Sequence, residues 1–68
     1  MEAHDKQELT ALIDYMIHHN EHHNEELMEL ASSLKEVNEG AYAKVMDAIN
    51  EFKKGNLALS EALEEMGK

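Results

Sequence analysis

Hydrophobic residues recur through the first half of the chain at alternating intervals of three and four residues. This spacing returns a side chain to the same helix face on every turn and is typical of the core positions of helical bundles. Asp5 fits an N-cap, and Glu8 three residues later completes a capping box. We therefore predict a helix over about residues 5–36. Its core-facing stripe is Leu9, Ile13, Met16, Asn20, His23, Leu27, Leu30 and Leu34.

The second half of the chain repeats this pattern after a short interruption. Residues 37–40 read Val-Asn-Glu-Gly, and Asn and Gly both tolerate the left-handed backbone conformation found in turns. We therefore predict a turn here and a second helix over about residues 40–66. The stripe of this helix is Tyr42, Val45, Ile49, Phe52, Asn56, Leu59, Leu63 and Met66.

The segment Lys53-Lys54-Gly55-Asn56 carries signals for the end of a helix. Basic residues followed by glycine are common where a helix stops, and the asparagine after them is able to cap a new helix. The hydrophobic spacing nevertheless continues through Gly55 without a change of phase, which favours one continuous helix. A break near Gly55 is the alternative, and it predicts a monomeric three-helix bundle.

Folding the chain at the turn brings the two stripes together in register. Opposed positions add to 75 or 76 throughout, so that Leu27 faces Ile49 and Asn20 faces Asn56. Paired asparagines within an apolar stripe are able to hydrogen-bond and fix the register at some cost in stability. This coincidence predicts an all-α antiparallel two-helix hairpin over residues 1–68, in one domain.

Two helices alone bury little apolar surface, and a domain of this size usually needs a partner, a metal or a disulfide. Further apolar residues beside the stripes widen the hydrophobic face of both helices, as a four-helix bundle requires. We therefore expect two hairpins to form a homodimeric four-helix bundle. The flanking residues are Leu12, Ile17, Met28, Ala31, Ala41, Ala48 and Ala62.

The amino-acid composition disfavours nucleic acids and membranes as partners. The chain has 15 acidic and 6 basic residues and a net charge of −9, so nucleic acid is an unfavourable partner. No apolar run approaches the length of a membrane span and no signal peptide opens the chain, from which we expect no membrane partner and a cytoplasmic location. Cysteine is absent, which excludes disulfides and thiolate metal ligands.

Four histidines lie close together in the predicted first helix. His18 and His22 are four residues apart, as are His19 and His23, and this spacing puts the members of each pair on the same face. Imidazoles arranged in this way commonly hold a transition metal. Glu26 falls one turn beyond His23 and is the best-placed acidic ligand. We predict a metal site built on His19 and His23, with Glu26, and with His22 and His18 at its outer edge.

Imidazole and carboxylate ligands without thiolate suit zinc, nickel or cobalt, as well as copper or iron. The expected function is non-enzymatic binding of such a divalent ion, since the sequence has no nucleophile–base pair, phosphate-binding loop or paired-acid site. The alternative is a helical interaction or scaffold module with a protein partner, in which the histidines are structural or respond to pH. We expect no amino-terminal metal site at His4, because Glu2 disfavours the removal of Met1 that such a site requires.

Residues 16–27 resemble a small uncharacterised helical domain family with a His-Asn-x-x-His core followed by acidic residues. The match falls on His19, Asn20 and His23, and residues 41–66 resemble its second helix, which is rich in Ala, Glu and Leu. The resemblance covers most of the chain. It implies a helical fold without an established activity, and an association with nickel- or cobalt-handling proteins.

A second, partial resemblance is to hemerythrin-like cation-binding domains, whose helices carry a His-His-x-x-Glu-Glu motif. The segment His22-His23-Asn24-Glu25-Glu26 fits this motif locally. That family has four helices in one chain with histidines on several of them, whereas this chain has no histidine after position 23. Only a dimer would rebuild such a site.

Overall fold

The computed structural model of the protein describes residues 5–68, and His4 lies outside this range. Helix α1 spans Lys6–Leu34 and helix α2 spans Glu39–Met66. The two helices lie antiparallel along their length, and the described residues contain no strand. The predicted all-α hairpin is confirmed.

Each helix begins at a side chain that caps its free N–H groups. The Asp5 carboxylate accepts a hydrogen bond from the Glu8 amide at 2.8 Å, and the Asn38 side chain accepts one from the Ala41 amide at 3.0 Å. The first turn of a helix has no internal acceptors for these donors, so each cap stabilises its helix by about 1 kcal/mol. The predicted capping role of Asp5 is confirmed.

The helices are connected by a short turn close to the predicted position, but without left-handed backbone. Asn38 has an extended backbone with φ −158°, and Gly40 already belongs to α2. None of the described residues has a positive φ. The turn is present, but its backbone is not left-handed, because Asn38 acts as an N-cap, a role that requires extended backbone.

Helix α2 passes through Gly55 without a break, so the three-helix alternative is wrong for the described residues. Gly55 is exposed, and a Cβ built on it would meet nothing within 4 Å. A glycine within a helix costs only about 1 kcal/mol relative to alanine. The partly buried residues beyond it, among them Leu59 and Leu63, give packing energy that outweighs this cost.

The predicted asparagine pair is present at the centre of the hairpin. Asn20 Nδ2 donates to Asn56 Oδ1 at 3.1 Å, and Asn56 Nδ2 donates to the main-chain oxygen of Ile17 at 3.0 Å. Both bonds are partly buried. They cross between the helices, so sliding one helix along the other would break both, and the pair fixes the register.

The face of α1 that packs on α2 is rotated from the predicted stripe. Leu9, Met16 and Leu30 were expected in the core but are 40%, 46% and 48% exposed. In each case the next residue along the chain takes the inner position. The less exposed residues of α1 are Thr10, Ile13, Ile17, Asn20, Asn24, Leu27, Ala31 and Leu34.

The rotation of α1 is explained by the residues that occupy its inner positions. Ala31 is small and only 1% exposed, so it lets α2 approach more closely than Leu30 would. Asn56 bonds to the carbonyl of Ile17, which draws α2 towards that side of α1. Both stripes share Ile13 and Leu27, so hydrophobic spacing alone does not distinguish them.

The hairpin has a very small core. Of the described residues only Ile17, Ala31 and Ile49 are buried apolar side chains. Phe52, predicted to lie in the core, remains 54% exposed. Neither described helix contains a stretch that is both long and apolar enough to cross a membrane.

Candidate metal site

Two imidazole nitrogens meet on the exposed side of α1. His19 Nε2 lies 2.9 Å from His23 Nε2, and the two rings are perpendicular with centroids 4.4 Å apart. The four-residue spacing brings the rings together, as predicted, since it stacks the two side chains one turn apart. The expectation that His23 occupies the core is wrong, because its side chain is 57% exposed.

Glu26 contacts the far nitrogen of His23 rather than the point where the two rings meet. His23 Nδ1 lies 3.2 Å from Glu26 Oε1. The negative charge of the carboxylate favours the proton of His23 on Nδ1, which leaves a lone pair on Nε2 to accept from Nε2–H of His19. A carboxylate in this position fixes the tautomer and orientation of a metal-binding histidine. Glu26 therefore positions the ring of His23.

Tyr15 extends the arrangement by one turn, a contact that the sequence analysis did not assign to the site. Its ring stacks on His19 with centroids 5.5 Å apart and an angle of 22° between the planes. The signal was the same four-residue spacing that relates His19 to His23. Tyr15, His19, His23 and Glu26 thus form a continuous row of contacts that restrains both imidazoles.

The two outer histidines have other partners. His18 Nδ1 lies 2.9 Å from the main-chain oxygen of Asp14 and 3.7 Å from its carboxylate, and His22 Nδ1 lies 3.9 Å from Glu25 Oε2. The hydrogen bond to the Asp14 carbonyl, followed by the charge of its carboxylate, raises the pKa of His18 above its ordinary value. His18 and His22 therefore each contact an acidic residue three or four positions away on the same helix.

The separation of the two nitrogens suits a shared metal ion. With metal–nitrogen bonds of about 2.0–2.1 Å, ligands at a right angle lie about 2.9 Å apart and ligands at the tetrahedral angle about 3.3 Å apart. Binding requires the proton on His19 Nε2 to leave or move to Nδ1, and the exposed ring can exchange it with water. Within residues 5–68 no three His, Asp or Glu side chains form a metal cage, so the His19–His23 pair has no third such side chain beside it.

His23 also borders an apolar groove between the helices. Leu27, Leu30, Phe52 and Leu59 line this groove. At its floor the side-chain oxygen of Asn24 is buried with no hydrogen-bond partner among the described residues. His23 therefore lies at the edge of an apolar groove that also carries the carboxylates of Glu26 and Glu51.

Residues 9–66 match the model of a family described as a domain of unknown function (DUF8180). The chain belongs to this family. The match includes the interacting lengths of both helices and the whole row from Tyr15 to Glu26. Membership of an uncharacterised domain family is thus confirmed, whereas the comparisons give no match to hemerythrin-like domains. No curated protein and no solved structure matches the chain significantly.

Proposed function

We propose that this protein binds a divalent transition-metal ion through His19 Nε2 and His23 Nε2 and does so without catalysing a reaction. The single observation that carries the proposal is the 2.9 Å separation of these nitrogens. Imidazole ligands without thiolate favour zinc, nickel or cobalt among the biological ions. Binding, storage or transfer of the ion and use of the ion to lock an assembly are all consistent with this chemistry.

The exposure of the pair supports a ligand role over a purely structural one. Both rings are exposed, so water could satisfy their nitrogens and the fold gains little from pairing them. The stack on Tyr15 and the contact with the Glu26 carboxylate nevertheless restrain them, which lowers the entropy that metal binding would otherwise cost. The net charge of −9 raises the local concentration of cations around the site.

The remaining ligands and the assembly belong to the same proposal. Glu26 holds His23 in place, His22 lies at the edge of the site, and His18 contributes least because it is bonded to Asp14. The working form is a homodimeric four-helix bundle, since the single hairpin buries only three apolar side chains in its described part. Nucleic acid and membranes are not expected partners, and the cytoplasmic location stays a prediction.

Calorimetric titration with zinc, nickel and cobalt tests the proposal. We expect His19→Ala and His23→Ala each to reduce affinity to the level of an isolated surface histidine, about 10 µM or weaker, while His18→Ala leaves it nearly unchanged. Affinity should also fall at lower pH, because protons compete for the nitrogen lone pairs. Weak binding by the unmodified protein would instead favour the scaffold function, with the histidines tuning packing or pH response.

A further inference from the structure

Helix α1 carries a second hydrophobic stripe that the hairpin leaves uncovered. Its members follow the same alternation of three and four residues as the inner positions but lie about a quarter of a turn around the helix from them, and every one of them is exposed. Apolar residues occupy both ends of this outer stripe, and the imidazole pair and Glu26 occupy its middle. The outer stripe consists of Leu9, Leu12, Met16, His19, His23, Glu26 and Leu30, with Ser33 at the next position.

The surface area of the chain is larger than that of a compact protein of the same mass. The chain exposes 5445 Å², whereas a compact protein of 7.7 kDa exposes about 4,300 Å². Leaving residues 1–4 out of both values lowers the exposed area by at most about 680 Å² and the compact value by about 200 Å², and an excess of about 600 Å² remains. A standard interface removes about 800 Å² from each partner. The excess is therefore about three quarters of what one standard dimer contact covers.

The number of metal ligands in one chain indicates that a second copy of the chain is needed. A structural zinc ion is almost always held by four ligands, and each chain offers two imidazole nitrogens at 2.9 Å. Within the described residues no third side chain joins them in a cage. Two copies that meet at this pair would supply four imidazoles.

We propose that a second copy of this chain packs antiparallel along the outer stripe and that the two copies share one metal ion between their His19–His23 pairs. This inference rests on the proposed function, because it requires the same two nitrogens to be ligands. The two-fold axis passes near position 21, which pairs positions that add to 42. Leu12 then faces the partner's Leu30, and His19 faces the partner's His23.

The distribution of side chains favours the antiparallel arrangement over the parallel one. A parallel pair would place the two Glu26 carboxylates opposite each other, and like charges in facing positions are unfavourable. The antiparallel pair places Met16 opposite the partner's Glu26 and closes both ends with leucine. A two-fold contact must be self-complementary, and this order of residues satisfies that condition. Phe52, 54% exposed beside the groove, would be covered by the same partner.

Zinc titration by calorimetry, combined with the mass from light scattering, tests the sharing of the ion. We expect 0.5 zinc per chain and a zinc-stabilised species of twice the 7.7 kDa chain mass. Binding of one zinc per chain at the monomer mass would overturn the shared site while leaving the proposed function intact. Absence of tight binding of zinc, nickel and cobalt alike would overturn both.

A charged residue introduced into the outer stripe tests the interface without changing the metal ligands. Leu12→Glu changes an exposed residue, so the hairpin should fold, as circular dichroism would verify. We expect this variant to stay monomeric and to bind zinc at least tenfold more weakly. The matched control is Leu57→Glu, which adds the same charge at a residue of α2 that is 64% exposed and borders a different groove. Equal dimerisation by both variants would contradict the proposed interface.

The absence of cysteine allows the helix orientation to be tested by engineered disulfides. In the antiparallel arrangement Leu9 lies opposite the partner's Ser33. A mixture of Leu9→Cys and Ser33→Cys chains loaded with zinc should form the mixed disulfide, and Ser33→Cys alone should not cross-link to itself. Efficient self-linking of Ser33→Cys would contradict the antiparallel pairing.

Discussion

Asn20 donates a hydrogen bond to Asn56 across the hairpin at 3.1 Å. Both groups in this bond belong to side chains, one from each helix. Asn56 passes the connection on to the carbonyl of Ile17. Each asparagine thereby satisfies polar groups that would otherwise be partly buried without partners. The pair links the register of the helices to the rotation of α1, and thus to the direction in which the histidines point.

Asn56→Ala should destabilise the hairpin more than Asn20→Ala, because Asn56 takes part in both bonds. We expect a loss of about 1–3 kcal/mol in the free energy of unfolding, measured by urea denaturation monitored by circular dichroism. Asn50→Ala, at an exposed position of α2, is the control and should cause little change. Equal stability of the Asn56 and Asn50 variants would show that the bonds contribute nothing.

Ile49→Ala should be the most damaging truncation of an apolar side chain. Ile49 is fully buried, and replacing such a residue by alanine costs about 2–5 kcal/mol through lost transfer energy and the cavity left behind. Leu57→Ala removes an exposed side chain of similar size and should cost far less. Thermal unfolding of the two variants compares these effects, and similar losses would contradict the described core.

Glu26→Ala should weaken zinc binding by about 10- to 100-fold, the usual cost of removing a group that orients a metal-binding histidine. The reason is the contact of Glu26 with His23 Nδ1 at 3.2 Å. Glu25→Ala removes an equal charge from the neighbouring position, where the carboxylate contacts His22 instead. Calorimetric titration of both variants should therefore show a clear difference, and equal losses would indicate a general effect of charge.

Asp14→Asn should lower the pKa of His18 in the metal-free protein. The main-chain bond that contributes most to the raised pKa remains, so the fall should be partial. Because the folded-state pKa lies above the unfolded one, protonated His18 stabilises the fold below the unfolded pKa, and this contribution is lost as pH rises through the folded pKa. Proton NMR titration of the imidazole measures the shift. An unchanged midpoint would contradict the role of the carboxylate.

Much of the fold follows from spacing and capping signals in the sequence. The cap at Asp5 depends on a local pattern. The antiparallel hairpin and its facing asparagines depend on the helical spacing and on the register that a short turn imposes. The rotation of α1 could not be predicted, because the two stripes share Ile13, Asn20, Leu27 and Leu34 and differ by one residue at the other positions. The choice between them depends on the small size of Ala31 and on the bond from Asn56 to Ile17, which are tertiary effects.

The candidate site was predicted only in part, because residue spacing is visible in the sequence but ring orientation is not. A spacing of four residues predicts that His19 and His23 meet, and the same rule would have added Tyr15. Spacing does not determine which nitrogen of a ring faces its neighbour, so the contact of Glu26 with Nδ1 rather than with the meeting point was not foreseen. Side-chain rotamers decide that detail.

The central claim is that His19 and His23, rather than the histidine cluster as a whole, bind the ion. Zinc titration of two double variants tests it most directly, since His19→Ala/His23→Ala and His18→Ala/His22→Ala each remove two imidazoles four residues apart from the same helix. We predict that the first double variant loses binding tighter than about 10 µM and that the second retains the affinity of the unmodified protein. Equal loss in both, or retained affinity in the first, would contradict the claim.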